Sequence, residues 1–287
     1  MRSLLFVPGD APAKIAKALG CGADALILDL EDSVAPDAKS AARAAVREAL
    51  AGPREGGPRL FVRVNGLDTG LADADLDGVM PGRPDGIMLP KAIGGETVAH
   101  LAAKIAVREA EYDLADGATG ILAIATENAA GVFAARTLAR SSHRLRGIAW
   151  GGEDLAADLG AESNRDETGA YTDPFRLART VTLLAAAAAG VDAIDTVYTA
   201  FRDLEGLATE CRAARRDGFV AKMAIHPAQV PVINEAFTPT PEAVARARAI
   251  LAAFTENPGL GVIGIAGEMI DRPHLKQAER LLARLGG

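Results

Sequence analysis

A chain of 287 residues with 49% hydrophobic and 24% charged side chains can bury a sizeable core, as one large α/β domain or two smaller ones. Its net charge of -7, without a basic run, argues against a nucleic-acid surface, and no apolar segment approaches the length of a membrane span. Cys21 and Cys211 stand without metal-ligand spacing, as packing residues in a reducing compartment do, so a cytoplasmic setting is expected.

From the N-terminus onward, apolar runs of strand length alternate with alanine-rich segments of helical period, the pattern of repeated βα units, about eight in all. Strands are predicted at Ser3 to Val7, Ala25 to Leu30, Leu60 to Val64, Gly86 to Leu89, Ile121 to Thr126, Arg146 to Trp150, Ala193 to Val197 and Met223 to His226. Between them, helices are predicted at Pro12 to Leu19, Pro36 to Leu50, Gly95 to Leu114, Ala129 to Leu138, Arg176 to Ala189, Leu204 to Arg216 and Ala228 to Ala236. Pro12, Pro36 and Pro241 sit where first-turn prolines belong.

No linker rich in Gly, Ser or Pro divides the chain, so a single (β/α)8 barrel domain over residues 1–287 is expected. Two further amphipathic helices, Pro241 to Phe254 and His274 to Leu285, exceed what a barrel needs. They predict a C-terminal helical extension over about 238–287 at a subunit interface. The alternative, an open doubly wound sheet binding a dinucleotide, needs a glycine fingerprint after the first strand, where this chain has Pro8-Gly9-Asp10.

In a barrel, the residues at the C-terminal ends of the strands face one mouth. Here the second strand ends in Asp29-Leu30-Glu31-Asp32-Ser33, the third in Arg63-Val64-Asn65, the fourth in Pro90-Lys91, the fifth in Glu127-Asn128, the sixth runs through Gly151-Gly152 into Glu153-Asp154, and the eighth ends in His226-Pro227. Acids so dense repel one another unless a cation neutralises them, and oxygen-only ligands point to magnesium or manganese. The competing expectations are a rim of ion pairs, Lys91 or Arg63 with Glu31 or Asp32, and Glu153 or Asp154 as caps of the next helix.

Arg2-Ser3-Leu4-Leu5-Phe6-Val7-Pro8-Gly9, Leu28-Asp29-Leu30-Glu31-Asp32-Ser33-Val34, Val62-Arg63-Val64-Asn65, Leu89-Pro90-Lys91, Thr126-Glu127, Gly152-Glu153-Asp154-Leu155-Ala156-Ala157-Asp158 and Ala224-Ile225-His226-Pro227 occur in this order. Together they resemble the citrate lyase beta-subunit-like branch of the HpcH/HpaI aldolase superfamily, over almost the whole chain. The resemblance implies a (β/α)8 barrel, assembled as a homotrimer or hexamer, that makes or breaks a carbon–carbon bond beside a thioester carbonyl. It implies Glu127 and Asp154 as magnesium ligands and Arg63 as the arginine on the reacting oxygens, with Glu31, Asp32 and Lys91 as orienting or substrate-binding groups. It also implies that Asp271, in Met269-Ile270-Asp271, enters a neighbouring subunit's site. One departure stands at the fifth strand, where Thr126-Glu127-Asn128 replaces a more usual Ile-Glu-Thr or Ile-Glu-Ser.

The expected reaction is retro-Claisen cleavage of a 3-hydroxyacyl thioester, such as citramalyl-CoA, malyl-CoA or a citryl thioester, into a 2-oxo acid and an acetyl thioester. A metal as Lewis acid and Arg63 as oxyanion donor suit it, and Asp271 is the candidate for the α-proton. The alternatives are a citryl-acyl-carrier-protein lyase subunit of a larger complex and a malyl-CoA thioesterase. Lys91 as a Schiff-base nucleophile is disfavoured because neighbouring acids keep it charged, and His226 as a base competes with a packed His-Pro turn.

Overall fold

A parallel sheet covered by helices buries both faces of its strands, and the predicted strands are accordingly runs of Leu, Ile, Val and Ala. The computed structural model describes residues 1–285; in it these runs become β1 (Ser3–Pro8), β2 (Ala25–Asp29), β3 (Arg59–Arg63), β4 (Gly86–Leu89), β5 (Gly120–Ile124), β6 (Leu145–Ala149), β7 (Asp192–Asp195) and β8 (Ala221–Ala224). The helices around them are α1 (Pro12–Ala18), α2 (Lys39–Leu50), α3 (Ala72–Val79), α4 (Gly94–Glu111), α5 (Ala129–Ala134), α6 (Gly152–Leu159), α7 (Asp173–Ala189), α8 (Leu204–Asp217) and α9 (Gln229–Phe237). Each strand pairs in parallel with the next and β8 pairs with β1, closing an eight-stranded barrel. The expected fold class is therefore the observed one.

Alternation along the strands makes two cores. Leu4, Ile27, Phe61, Met88, Leu122, Ile194 and Met223 point inward and fill the barrel. Their neighbours Leu5, Leu26, Leu28, Val62, Ile121 and Ile148 point outward and pack under the helices with Ile15, Val46, Leu101 and Leu207. Each such Leu or Ile contributes about 1.5–3 kcal/mol by leaving water, so the scaffold that carries the mouth is rigid.

The strands stop one or two residues short of several predicted ends, so Leu30, Val64, Thr126 and Trp150 belong to the loops that follow. Two helices differ from expectation. α3 was not foreseen, because Asp73, Asp75, Asp77 and Gly78 interrupt its apolar period; Asp75 is nonetheless buried and bonded to Arg43 and Asn65. The helix predicted over Ala129 to Leu138 is α5 followed by a tighter 3-10 turn, Ala135–Leu138.

The chain divides into a barrel unit, Met1–Phe237, and a second unit that begins at Thr238. The second unit comprises α10 (Pro241–Glu256), β9 (Val262–Ile265), β10 (Glu268–Asp271) and α11 (Arg272–Ala283). The predicted helix pair is present, but an antiparallel hairpin stands between its members, with Ile270 opposite Ile263. Ile270 packs with Ile250, Phe254 and Ala278 into a core of its own. Gly286 and Gly287, the end of the expected extension, lie outside the described residues. Among the described residues no helix is long and apolar enough to cross a membrane.

Candidate active site

Parallel register brings Asp29, the last residue of β2, beside Arg63, the last of β3. The two join by parallel bonds, Arg63 Nε to Asp29 Oδ1 and Nη2 to Oδ2, both 2.7 Å. Burial alone would raise the Asp29 carboxyl, but the hydrogen bonds and charge of Arg63 outweigh it and hold Asp29 below the ordinary carboxylate value. Nothing in the local sequence singles out Asp29 from the acids around it. The remaining end of the guanidinium, Nη1, stands 2.9 Å from Glu31 Oε2, and Arg63 also lies over the ring of Phe6.

Glu31 follows β2 directly and is fixed from behind. Lys39, on α2, donates to the backbone oxygens of Leu30 and Glu31, each at 2.7 Å, and to Asn65 Oδ1 at 2.8 Å. Lys91 reaches across from the end of β4, its ammonium on Glu31 Oε1, 3.5 Å from Asp32 Oδ2 and 3.7 Å from Asp154 Oδ1. Its backbone is left-handed, with φ 50°, and this turn aims the Lys91 N–H at Glu127 Oε2. Burial would depress the ammonium, but Glu31, Asp32 and Asp154 together raise its pKa. These acids favour the charged ammonium, which disfavours Lys91 as a Schiff-base nucleophile at neutral pH.

Glu127 is 3% exposed, and its carboxyl is pushed up to about 8, first by burial and then by Asp154 and Glu31. Gly151 is required beside it, since a Cβ there would come within 2.6 Å of Glu127 Cγ. The same turn leads into the first turn of α6, where Asp154 sits half-exposed and Glu153 is bound instead by Asn164 Nδ2 at 2.7 Å. A cavity of about 370 Å3 is lined by Pro90, Lys91, Glu127, Asn128, Asp154 and Asp158. A second, of about 430 Å3, lies at the opposite end of the barrel among Arg59, Phe61, Asp85 and Arg146; it is larger but has no comparable group of acids.

The structure thus gathers Arg63, Glu31, Asp32, Lys91, Glu127 and Asp154 at one mouth. Asp271 belongs to the second unit, where it is the N-cap of α11 and its Oδ1 lies 2.5 Å from His274 Nδ1. Asn128, at the departure from the usual pattern, accepts from Gly131 N at 2.7 Å and caps α5. His226 accepts from Ala228 N at 3.1 Å and stacks on Phe201 with ring centroids 4.9 Å apart, on an exposed turn that does not line the cavity.

Five carboxylates, Asp29, Glu31, Asp32, Glu127 and Asp154, meet two cations here, Arg63 and Lys91. Glu31 Oε2 is one of the few buried polar atoms without a hydrogen bond, because Arg63 Nη1 approaches it as a charge and not along a donor direction. A divalent cation fits this donor set. Magnesium is commonly held through one or two carboxylates, with water and substrate oxygens completing its shell. Among the described residues no group of three or more His, Cys, Asp or Glu has metal-binding geometry; Glu127 and Asp154, which line the same cavity, are the two carboxylates that could hold the ion there.

The family described as HpcH/HpaI aldolase/citrate lyase matches residues 2–227. The citrate lyase subunit beta of Leuconostoc mesenteroides subsp. cremoris is 37% identical over 98% of this chain and 92% of its own length. The mitochondrial citramalyl-CoA lyase of Rattus norvegicus is 35% identical over 98% and 85%. Mycobacterium tuberculosis CitE, solved with magnesium, acetoacetate and coenzyme A, superposes with a TM-score of 0.78 at 37% identity, covering 100% of this chain and 98% of that one.

Proposed function

The chain belongs to the HpcH/HpaI aldolase/citrate lyase family, and from that premise we propose a magnesium-dependent carbon–carbon lyase acting on a 3-hydroxyacyl thioester of coenzyme A. The observation that carries this reading is the pairing of Glu127 and Asp154 on one cavity beside Arg63, Glu31 and Lys91. Cleavage breaks the bond between the α- and β-carbons. The hydroxyl proton leaves as its carbon becomes the ketone of a 2-oxo acid, the bonding pair passes to the acetyl thioester as an enolate, and a proton returns to the α-carbon.

Glu127 and Asp154 would hold magnesium, which when bound supplies Lewis-acid polarisation of the substrate's carboxylate and hydroxyl oxygens. Arg63, locked by Asp29, presents Nη1 to the developing negative charge; a single well-placed donor contributes about 3 to 4 kcal/mol. Glu31 and Asp32 would bind and orient substrate with Lys91 between them. Asp271 of a neighbouring copy would carry the proton at the α-carbon. Support for a shared site, and hence for a trimer or hexamer, comes from the second unit itself. Its hairpin turns Met269 (71% exposed) and Val262 (51%) outward on the face that bears Asp271. The two free cysteines support a reducing, cytoplasmic setting.

The test is a panel of acyl-CoA esters with magnesium, following 2-oxo acid and free thiol together. A lyase releases 2-oxo acid with acetyl-CoA and no free thiol. Thiol release in step with turnover would instead mark a thioesterase, and turnover only of a carrier-protein thioester would mark a subunit of a larger complex.

A further inference from the structure

Outside the barrel wall, between β6, β7, β8 and the helices α7 and α8, lies a buried polar cluster that lines neither cavity described above. Its centre is Trp150, the chain's only tryptophan, fully buried one residue beyond β6. The indole Nε1 donates to Asp195 Oδ1 at 2.8 Å. Asp195, on β7, is held in turn by Lys222 Nζ at 2.8 Å and faces Arg179 Nε at 3.5 Å; Lys222 also binds Glu210 Oε1 at 2.8 Å. Trp150 and Tyr171 meet in a T-shaped contact, and the Tyr171 ring is covered by the Arg165 guanidinium at 3.8 Å.

Buried ion pairs are an inefficient way to gain stability, since desolvation consumes most of their attraction, but they hold a group in one orientation. The group held here is Trp150. A Cβ on Gly152 would lie 3.3 Å from Trp150 Cζ3, while a Cβ on Gly151 would lie 2.6 Å from Glu127 Cγ. The Gly151-Gly152 turn is therefore seated between the indole on one side and Glu127 on the other, and Asp154 follows two residues later.

We infer that Trp150, oriented by Asp195, is a positioning residue that sets the place of Asp154 relative to Glu127. The inference rests on the proposed reading of Asp154 as a metal ligand. Trp150→Phe removes both the N–H that Asp195 holds and the Cζ3 edge that lies against Gly152, so the turn loses its seat.

Magnesium affinity measured by calorimetry should weaken at least fivefold in Trp150→Phe, and kcat should return to within twofold of wild type once magnesium saturates. General destabilisation would not restore kcat in that way. Asp154→Ala should lose magnesium binding altogether. The unaltered protein gives a readout that needs no variant at position 150: its single tryptophan should change emission on titration with magnesium, and that change should be absent in Asp154→Ala. The inference is overturned if Trp150→Phe binds magnesium within twofold of wild type while Asp154→Ala does not bind it. It is equally overturned if calorimetric binding to the unaltered protein leaves the emission unmoved. Unchanged magnesium affinity in Asp154→Ala would overturn the ligand assignment first, and the inference with it.

Discussion

Arg63 meets Asp29 through two parallel bonds of 2.7 Å, so both Nε and Nη2 are committed and only Nη1 is turned toward Glu31. A lysine keeps the charge but has no planar fork, so it cannot hold Asp29 and reach Glu31 at once. Arg63→Lys should lower kcat at least tenfold, roughly 1.4 kcal/mol, with little change in magnesium affinity. Arg63→Ala is less informative, because removing one partner of a buried pair costs about 3–5 kcal/mol of stability. Wild-type turnover in the lysine variant, measured on any accepted thioester, would remove Arg63 from the mechanism.

Glu127 gives the site a pH dependence with opposite signs for binding and for stability. Its carboxyl is raised by burial to about 8, so at pH 7 the metal-free protein holds it mostly protonated, whereas a metal ligand must be ionised. Magnesium binding at pH 7 should therefore release a proton, seen as a dependence of the calorimetric heat on buffer ionisation, and affinity should rise with pH until about 8. For the metal-free protein the folded carboxyl lies above its ordinary value of 4.5, so its contribution to stability is whole below that value and is lost as pH rises through about 8. In chelator, the melting temperature of wild type should fall more steeply from pH 5 to 8 than that of Glu127→Gln. Parallel curves would show that Glu127 does not titrate in this range.

Lys91 combines a left-handed backbone with an N–H bonded to Glu127; glycine and alanine both keep that N–H, but only glycine adopts the left-handed backbone without strain. A left-handed conformation costs a non-glycine residue about 1–2 kcal/mol. Both Lys91→Gly and Lys91→Ala lose the ammonium that holds Glu31, but the glycine variant should melt roughly 2–4 °C above the alanine one. Borohydride in the presence of a 2-oxo acid should leave wild type active, because the acids around Lys91 keep its amine charged. Irreversible inactivation would restore the Schiff-base alternative.

Legibility of the fold and site followed the range of the interactions that build them. Runs such as Ala25–Asp29, buried throughout, announce strands locally, and the polar residues after them announce the mouth. The partnership of Asp29 with Arg63 is set by register between adjacent strands, which no single stretch encodes. Asp75 concealed α3 for a related reason: a charge on the buried face of a helix breaks its period, and only its distant partners Arg43 and Asn65 explain it. The hairpin of the second unit is four residues a side, and Gly264 within β9 erases its alternation. Lys222 is a single charge in the apolar run Ala221–Ala224, and its partners Asp195 and Glu210 come from other elements.

Asp271 has a local use that must be separated from the one proposed for it across a subunit boundary. As N-cap of α11 it forms a capping box with His274, and losing such a cap costs about 1 kcal/mol. Asp271→Ala therefore confounds the two roles, whereas Asn is as good a cap as Asp and has no carboxylate. Asp271→Asn should keep the melting temperature within about 2 °C of wild type while activity falls at least a hundredfold, the usual lower bound for loss of a proton-transfer group. Mixed with Glu127→Ala and reassembled, it should regain part of the wild-type rate, since some sites would then join an intact Glu127 to a neighbour's intact Asp271. Subunit exchange has to be shown by a mass or fluorescence label in the same sample. Full activity in Asp271→Asn would leave the residue as a cap only. Inactive mixtures in which exchange is demonstrated would show that the carboxylate acts within its own chain.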